Sequence, residues 1–497
     1  MEFYVVLLFF SQVFSSGFAA FFYPDPQSSL LEHILVDVHG AHASNFSTAI
    51  TPCSNYVSGA QTFGRTTAAQ WIRVAFHDFV TADVATGVGG MDASIGFETL
   101  REEDSGSAFN DSLTFFRPYV NKEVSMADLI ALSVVMSVGI CGGPQIPLRA
   151  GRIDATEGGA FGVPAPETEL DLTLEFFAGA GFDQVSAIGL TACGHTLGSV
   201  HHGGFPAVVG PEAVTPNNTA GGIHFDDTVA IFDSKVVNEY LDGTGNAGGP
   251  LVTSFNVSSR SDLRLYKADG NATMIELRNQ GNGFMDTCKT LLQRMIDTVP
   301  EGVELGKVIS PMDVKPINTT LDFDTRGNLI LKGTIRTIST SSPSLILRSD
   351  YNKPLTLHAE TSIGISAFGT TRFYPFNLVI SPSTTSFNVA GETFEVQTRA
   401  FTVPSISTVS ADGTSVLFTI AASQGLDDVP TVMVSAPLPQ MGTLGPKVVG
   451  FDCELKFSRK LAGYDIYEGD VDFGDVRTGK VSIETSVDGG IVDVALL

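Results

Sequence analysis

TTAAQWIRVAFHDFV, Thr66–Val80, sets an arginine and a histidine one helical turn apart on an otherwise apolar segment. Thr67 with Gln70 three positions on has the form of a reciprocal capping box, which predicts a helix start. Ala68, Ile72, Ala75, Phe76 and Phe79 then recur at the spacing of a helix buried along one stripe. Arg73 and His77, four apart, project from one side of that helix. A buried guanidinium beside a buried imidazole is costly unless something polar or anionic stands between them. The plainer reading is a surface turn with two solvated side chains, and the apolar residues interleaved between them speak against it.

The 497 residues are too many for one ordinary domain, so two are expected, each with its own core. A formal net charge of −25 argues against nucleic acid or an anionic membrane as partner and suits a secreted protein in an acidic medium. Tyr4–Phe10 is an apolar run, and GFAA follows it as a small-residue cleavage site near Ala19. Residues 1–19 therefore read as a signal peptide, although Glu2 stands where a basic residue is usual. An uncleaved anchor is the alternative, but Gln12 and Ser15 break the run, and no later segment could span a bilayer. Six N-x-S/T triplets, at Asn45, Asn110, Asn217, Asn256, Asn271 and Asn318, fit secretion. Five cysteines allow at most two internal disulfides and leave one thiol over.

From Phe22 to Pro311 the periodicity is mainly helical, with helices expected over Ser125–Gly139, Glu169–Ala178, Asp183–Gly194, Val229–Leu241 and Gly283–Val299. Past Pro311 the character changes. NLILKGTIRTI (Asn328–Ile338) alternates, and PSLILR, PLTLHAE, RFYPFNLVI, SVLFTIA, TVMVSA, KVVGFDCELKF and GIVDVAL follow between turn residues. This predicts an antiparallel, immunoglobulin-like sandwich over 314–497, joined to the helical domain, 20–313, through Ile309–Asn318.

Thr66–Val80 resembles the distal helix of the plant-type haem peroxidase superfamily, and five further stretches extend the resemblance in the family's order over roughly Asn45–Pro311. GGMDASIGF, after Asp78, is similar to the distal calcium loop of the secreted members. Val124–Leu148 with RAGRIDA (Arg149–Ala155) resembles the next long helix and its turn. LTACGHTLGSVHH (Leu190–His202) resembles the proximal helix, HFDDTVAIFDSKVV (His224–Val237) the proximal calcium loop, and SDLRL (Ser261–Leu265) the segment with the buried carboxylate. Phe76 stands where intracellular members have tryptophan, and Phe225 where they may carry a redox-active one. Both choices place the chain with the secreted classes, nearest the fungal ones.

The resemblance implies haem b with His195 as axial ligand. Asp262 would accept from the other ring nitrogen, fixing the tautomer and enriching the ligand in electron density. The bland alternatives are a satisfied core histidine and a turn aspartate. On the distal side His77 would move the peroxide proton and Arg73 would stabilise the charge that develops. Asp78, the Gly90 carbonyl, Asp92 and Ser94 would hold one Ca²⁺. Thr196, Asp226, Thr228, the Ile231 carbonyl and Asp233 would hold a second, unless these residues simply populate loops. The resemblance pairs Cys53 with Cys141. Cys193 reads as a buried thiol, and whether Cys288 reaches Cys453 stays open.

Two departures stand out. Asp104, in EEDSG, takes the place of the asparagine that holds the distal histidine, and an ionised carboxylate there would favour imidazolium, opposed by Arg73 and burial. Thr66 and Gln70 stand where manganese-oxidising members carry glutamates, and Trp71 is not at the place of the surface tryptophan used by lignin-oxidising ones. The expected partners are hydrogen peroxide and a small electron donor. Two other classes compete: a zinc hydrolase using His195, His201 and His202, which lacks a third-ligand pattern, and a catalytically weak haem scaffold whose β domain binds a wall polymer or protein. Exposed β-domain aromatics would favour the latter, but strand aromatics such as Phe373, Tyr374 and Phe376 are more often core.

Overall fold

The computed structural model describes residues 21–56, 65–104, 106–338 and 344–497. The signal peptide expected over 1–19 lies outside the described residues. Eleven α-helices fill the first part among the described residues: α1 (Pro26–Val36), α2 (Thr67–Phe79), α3 (Ala108–Phe116), α4 (Met126–Ile140), α5 (Leu170–Gly179), α6 (Gln184–Gly194), α7 (Lys235–Asp242), α8 (Pro250–Thr253), α9 (Ser261–Tyr266), α10 (Ala272–Asn279) and α11 (Gly283–Asp297). None is long and apolar enough to cross a membrane.

The α2 helix starts one residue from where the capping box puts it. Thr66, in extended backbone, is the cap and accepts from Ala69 N at 3.3 Å, while Gln70 reaches Asp111 on α3 instead. Its apolar face, Ala68, Trp71, Ile72, Ala75 and Phe79, is buried. Against it lies α4, buried at every position from Met126 to Val138 because its sequence has no polar face to offer solvent. Ser125 caps α4, and the turn after the helix is locked from inside: Arg152, 2% exposed, binds Asp128 at 2.9 Å and the Ile296 carbonyl of α11. The helix predicted over Val229–Leu241 begins only at Lys235, since Asp226 and Asp233 turn the preceding backbone into a loop by accepting from Thr228 N and Lys235 N.

Cys53 and Cys141 are joined, tying the segment before α2 to the end of α4. Cys193 is not a free thiol: it is bonded to Cys288, linking α6 to α11, and Cys453 is the remaining cysteine. Closing loops of 88 and 95 residues removes unfolded-state entropy worth about 4.6 kcal/mol for each bridge.

From Val314 on, every strand pairing among the described residues is antiparallel. Seventeen strands among the described residues form four sheets, more than the seven to nine of a single immunoglobulin-type sandwich. In the first, Val314–Phe323 pairs with Leu329–Ile338, which pairs in turn with Gly369–Val379 from Ile330 opposite Val379 to Ile338 opposite Thr371. Pro316 therefore lies inside a strand, not in a linker, and it is tolerated because that strand is an edge. KVVGFDCELKF divides at Glu454. Lys447–Cys453 joins one sheet and Lys456–Leu461 another, so the apparent single run is a crossing between layers. Phe373, Tyr374 and Phe376 are buried and supply no aromatic surface.

The β region is fastened to the helices through charge. Glu32 of α1 accepts from Lys315 Nζ at 2.5 Å and Arg336 Nη2 at 2.6 Å, with both cations at most 1% exposed. A buried cation deprived of its partner typically costs roughly 3–5 kcal/mol, so these bonds hold the two parts together. A second contact reaches toward the site: Leu444 N donates to Gly96 O beside the distal loop, where a Cβ on Gly96 would lie 2.7 Å from Thr443 Oγ1.

Candidate active site

Helical phase brings Arg73 and His77 to one wall of a cavity of about 790 Å³, and α6 delivers His195 to the other. The cavity size is that of a cofactor site. His195 occupies the residue just past α6, whose Asp183 cap accepts from Ser186 N, so the helix aims the imidazole as it ends.

The two histidines are anchored alike. His77 Nδ1 lies 2.7 Å from Asp104 Oδ1, and His195 Nδ1 lies 2.6 Å from Asp262 Oδ2. Each carboxylate fixes a ring and leaves Nε2 for the cavity. Asp104, fully buried in the Glu102–Asp104 turn, is pushed up to about 6 by burial, against the pull of Arg73 and Arg101. His77 is held well below the usual imidazole range, by burial first and then by Arg73. The opposition anticipated from sequence thus sets the direction, which favours the neutral imidazole. The Arg73 guanidinium sits 4.7 Å from the centre of the Phe109 ring, its own value lowered to about 10 by burial. Phe225 stacks on His195 at 4.0 Å with the planes 5° apart, and Phe76 lines the cavity.

A redox-active tetrapyrrole fits these residues. Two imidazoles whose Nδ1 atoms are already taken face one large, mostly apolar chamber, and a cation flanks one of them.

The loops at Asp78 and Asp226 carry clustered oxygen groups. In the first, Asp78, Asp92 and Ser94 are all buried; Asp78 accepts from the backbone of Asp92, Ala93 and Ile95, and Ser94 Oγ lies 3.5 Å from its Oδ1. Burial and then the Asp92 charge hold the Asp78 carboxyl well above the carboxylate range, the state of an acid pair lacking a counter-charge. Gly90, at φ +111°, packs so that a Cβ would sit 2.7 Å from the Thr298 carbonyl. In the second loop Thr228 Oγ1 bridges Asp226 and Asp233 at 3.2 and 3.1 Å. Asp226 Oδ2 is buried without a partner, and the group is pushed up to about 7 by burial and Asp233. Ile231 lies in the same turn. Thr196 is buried beside His195, but its hydroxyl donates to the Cys193 carbonyl. Both loops fit a hard cation.

Sequence reasoning missed several neighbours. Glu98 and Glu103 crowd Asp104 and share Arg101, and Arg65 lines the cavity. Their spacing carries no periodic signal, since they meet only through loops. The three histidines of the zinc alternative diverge: His195 binds Asp262, His201 meets Ser199, and His202 meets the Val209 carbonyl.

The helical domain thus sets two carboxylate-anchored imidazoles across one cavity, with an arginine beside one of them. Residues 54–279 match the family model described as peroxidase, and the chain carries a domain of the plant-type peroxidase superfamily. It is similar to a WSC domain-containing protein of Arthroderma benhamiae, 41% identical over 63% of this chain and 43% of that one. It is also similar to L-ascorbate peroxidase 2, cytosolic, of Arabidopsis thaliana, 30% identical over 35% of this chain and 64% of that protein. Peroxidase 36 of Arabidopsis thaliana is 32% identical over 30% of this chain and 46% of its own length. The chain thus spans less than two thirds of each of these relatives.

Proposed function

We propose that the chain is a secreted haem peroxidase that reduces hydrogen peroxide and oxidises small donors by one-electron steps at the haem edge. The observation that carries this reading is the pair of carboxylate-anchored imidazoles across one cavity, at 2.7 and 2.6 Å. His195 would hold the iron through Nε2, with Asp262 enriching the ligand. Haem bound there supplies a centre that takes two oxidising equivalents from hydrogen peroxide and passes them on singly. His77 Nε2 takes the proton from one peroxide oxygen and hands it to the other, which leaves as water. Arg73 offsets the negative charge on the departing oxygen from a fixed position. Absorption spectra of the purified protein before and after hydrogen peroxide test the reading. A haem band that changes on mixing is expected, and protein from haem-supplied cells with no such band would overturn it.

Asp104 sets a pH limit that asparagine would not. Above about 6 its carboxylate accepts from His77 Nδ1–H, leaving Nε2 as the base. As pH falls through that value Asp104 protonates, its O–H can donate to Nδ1, and the ring proton then sits on Nε2, where it blocks proton uptake. Asp104→Asn removes this titration, and His77 itself protonates only well below its usual range. The acid limb of the stopped-flow peroxide rate should therefore move to lower pH in Asp104→Asn. Superimposable profiles would show that Asp104 does not govern His77.

Two calcium ions are proposed for the loops at Asp78 and Asp226. Each would neutralise carboxylates that burial otherwise forces upward. Because an ion that binds only the folded state stabilises it, chelation should lower the melting temperature, with calcium restoring it. Identical melting with and without chelator would count against both sites.

A further inference from the structure

Behind the proximal pair stands a phenol that the peroxide chemistry does not use. Tyr266 ends α9 four residues after Asp262, so both side chains leave one face of that helix. It is fully buried, and its hydroxyl lies 3.5 Å from Asp262 Oδ2, the oxygen that also faces His195 Nδ1. Phenylalanine would fill the space without a polar atom to satisfy, so the hydroxyl asks for a chemical reason. Burial and the Asp262 charge hold its ionisation well above that of a free phenol, which keeps it a neutral donor. Its ring meets that of Tyr240 edge-on, centroids 5.0 Å apart. Tyr240, on α7, is half-buried, and its hydroxyl donates to Asn271 Oδ1 at 2.7 Å. The ring stacked on His195 is Phe225, which is hard to oxidise, so Tyr266 is the first oxidisable ring behind the carboxylate.

We propose that Tyr266 and Tyr240 form a one-electron relay from the proximal side of the cavity to the surface, serving phenolic donors too bulky to enter it. The relay rests on the haem reading above. The oxidant is hydrogen peroxide acting through the haem. Tyr266 gives up one electron while its phenolic proton shifts along the hydrogen bond to Asp262 Oδ2, leaving a neutral phenoxyl. Tyr240 then supplies an electron to Tyr266, the proton on Asp262 returns to the Tyr266 oxygen, and the Tyr240 proton passes to water at its exposed edge. A phenol at the surface restores Tyr240 with one electron while water returns one proton, and the donor gives up its own phenolic proton and leaves as a phenoxyl radical. Two such turns reduce one peroxide to two waters.

The test uses the haem-loaded full chain mixed with equimolar hydrogen peroxide, followed by absorption and by freeze-quench electron paramagnetic resonance. Oxidation of a phenol immobilised on beads is compared with that of the same phenol in solution. In the wild type a tyrosyl signal is expected. It should be lost in Tyr266→Phe and changed in line shape in Tyr240→Phe, and the ratio of immobilised to soluble oxidation should fall in both. Should Tyr266→Phe fail to fold, Tyr240→Phe alone still decides, because Tyr240 is only half-buried. A peroxide-dependent absorption change with no tyrosyl signal, or a signal unaltered in Tyr240→Phe, would overturn the relay and leave the haem reading standing. No absorption change at all would overturn both.

Discussion

His77→Leu is expected to slow the reaction with hydrogen peroxide by about 10²- to 10⁴-fold, the range for a positioned acid–base group, and Arg73→Leu by roughly 10²- to 10³-fold, that of a fixed electrostatic donor. The physical ground differs for the two. Burial and Arg73 keep His77 uncharged, so its Nε2 is an available base across the neutral range, and leucine offers no proton acceptor in its place. Arg73 retains its charge at neutral pH even though burial lowers it to about 10, and it is steadied by the Phe109 ring and by Asp104. Either change also strips buried Asp104 of a neighbour, so some loss of stability is expected beside the loss of rate. Stopped-flow mixing with peroxide measures the rates, and near-normal values in both variants would remove the catalytic assignment.

Much of the site was legible because it is written in short-range phase. Arg73 and His77 are four apart on a helix, so periodicity put them on one side of it, whereas His195 was named through the resemblance. Asp104 and Asp262 were reachable only through resemblance, since 27 and 67 residues separate them from their histidines. Cys193 was misread for the same reason. Its bond to Cys288 spans 95 residues, and nothing local distinguishes a half-cystine from a buried thiol. In the β region alternation located individual strands but not their sheets, because alternation reports which face is buried and not which neighbour supplies the pairing. The division of KVVGFDCELKF and the burial of Pro316 in an edge strand are both consequences of partners distant in sequence.

His195→Ala is expected to abolish the native haem spectrum, either by loss of the cofactor or by ligation from elsewhere. Removing the imidazole also strips Asp262 of its 2.6 Å partner, leaving a buried carboxylate with Ser261 Oγ and the more distant Tyr266 hydroxyl. Some loss of stability is therefore expected alongside loss of haem, and haem content alone would not separate the two causes. Free imidazole does. The space vacated by the side chain lies between Asp262 and the cavity, beside the flat face of Phe225, so added imidazole can stack there, donate to Asp262 and present its other nitrogen to the iron. Restoration of the wild-type absorption spectrum by imidazole would identify position 195 as the axial ligand independently of stability. Asp262→Asn refines the argument, because an amide can accept from Nδ1–H but carries no charge to enrich the ligand. It should retain haem while shifting the reduction potential upward. An unchanged spectrum in His195→Ala would mean that the iron is held elsewhere, with His201, which also lines the cavity, the first residue to replace.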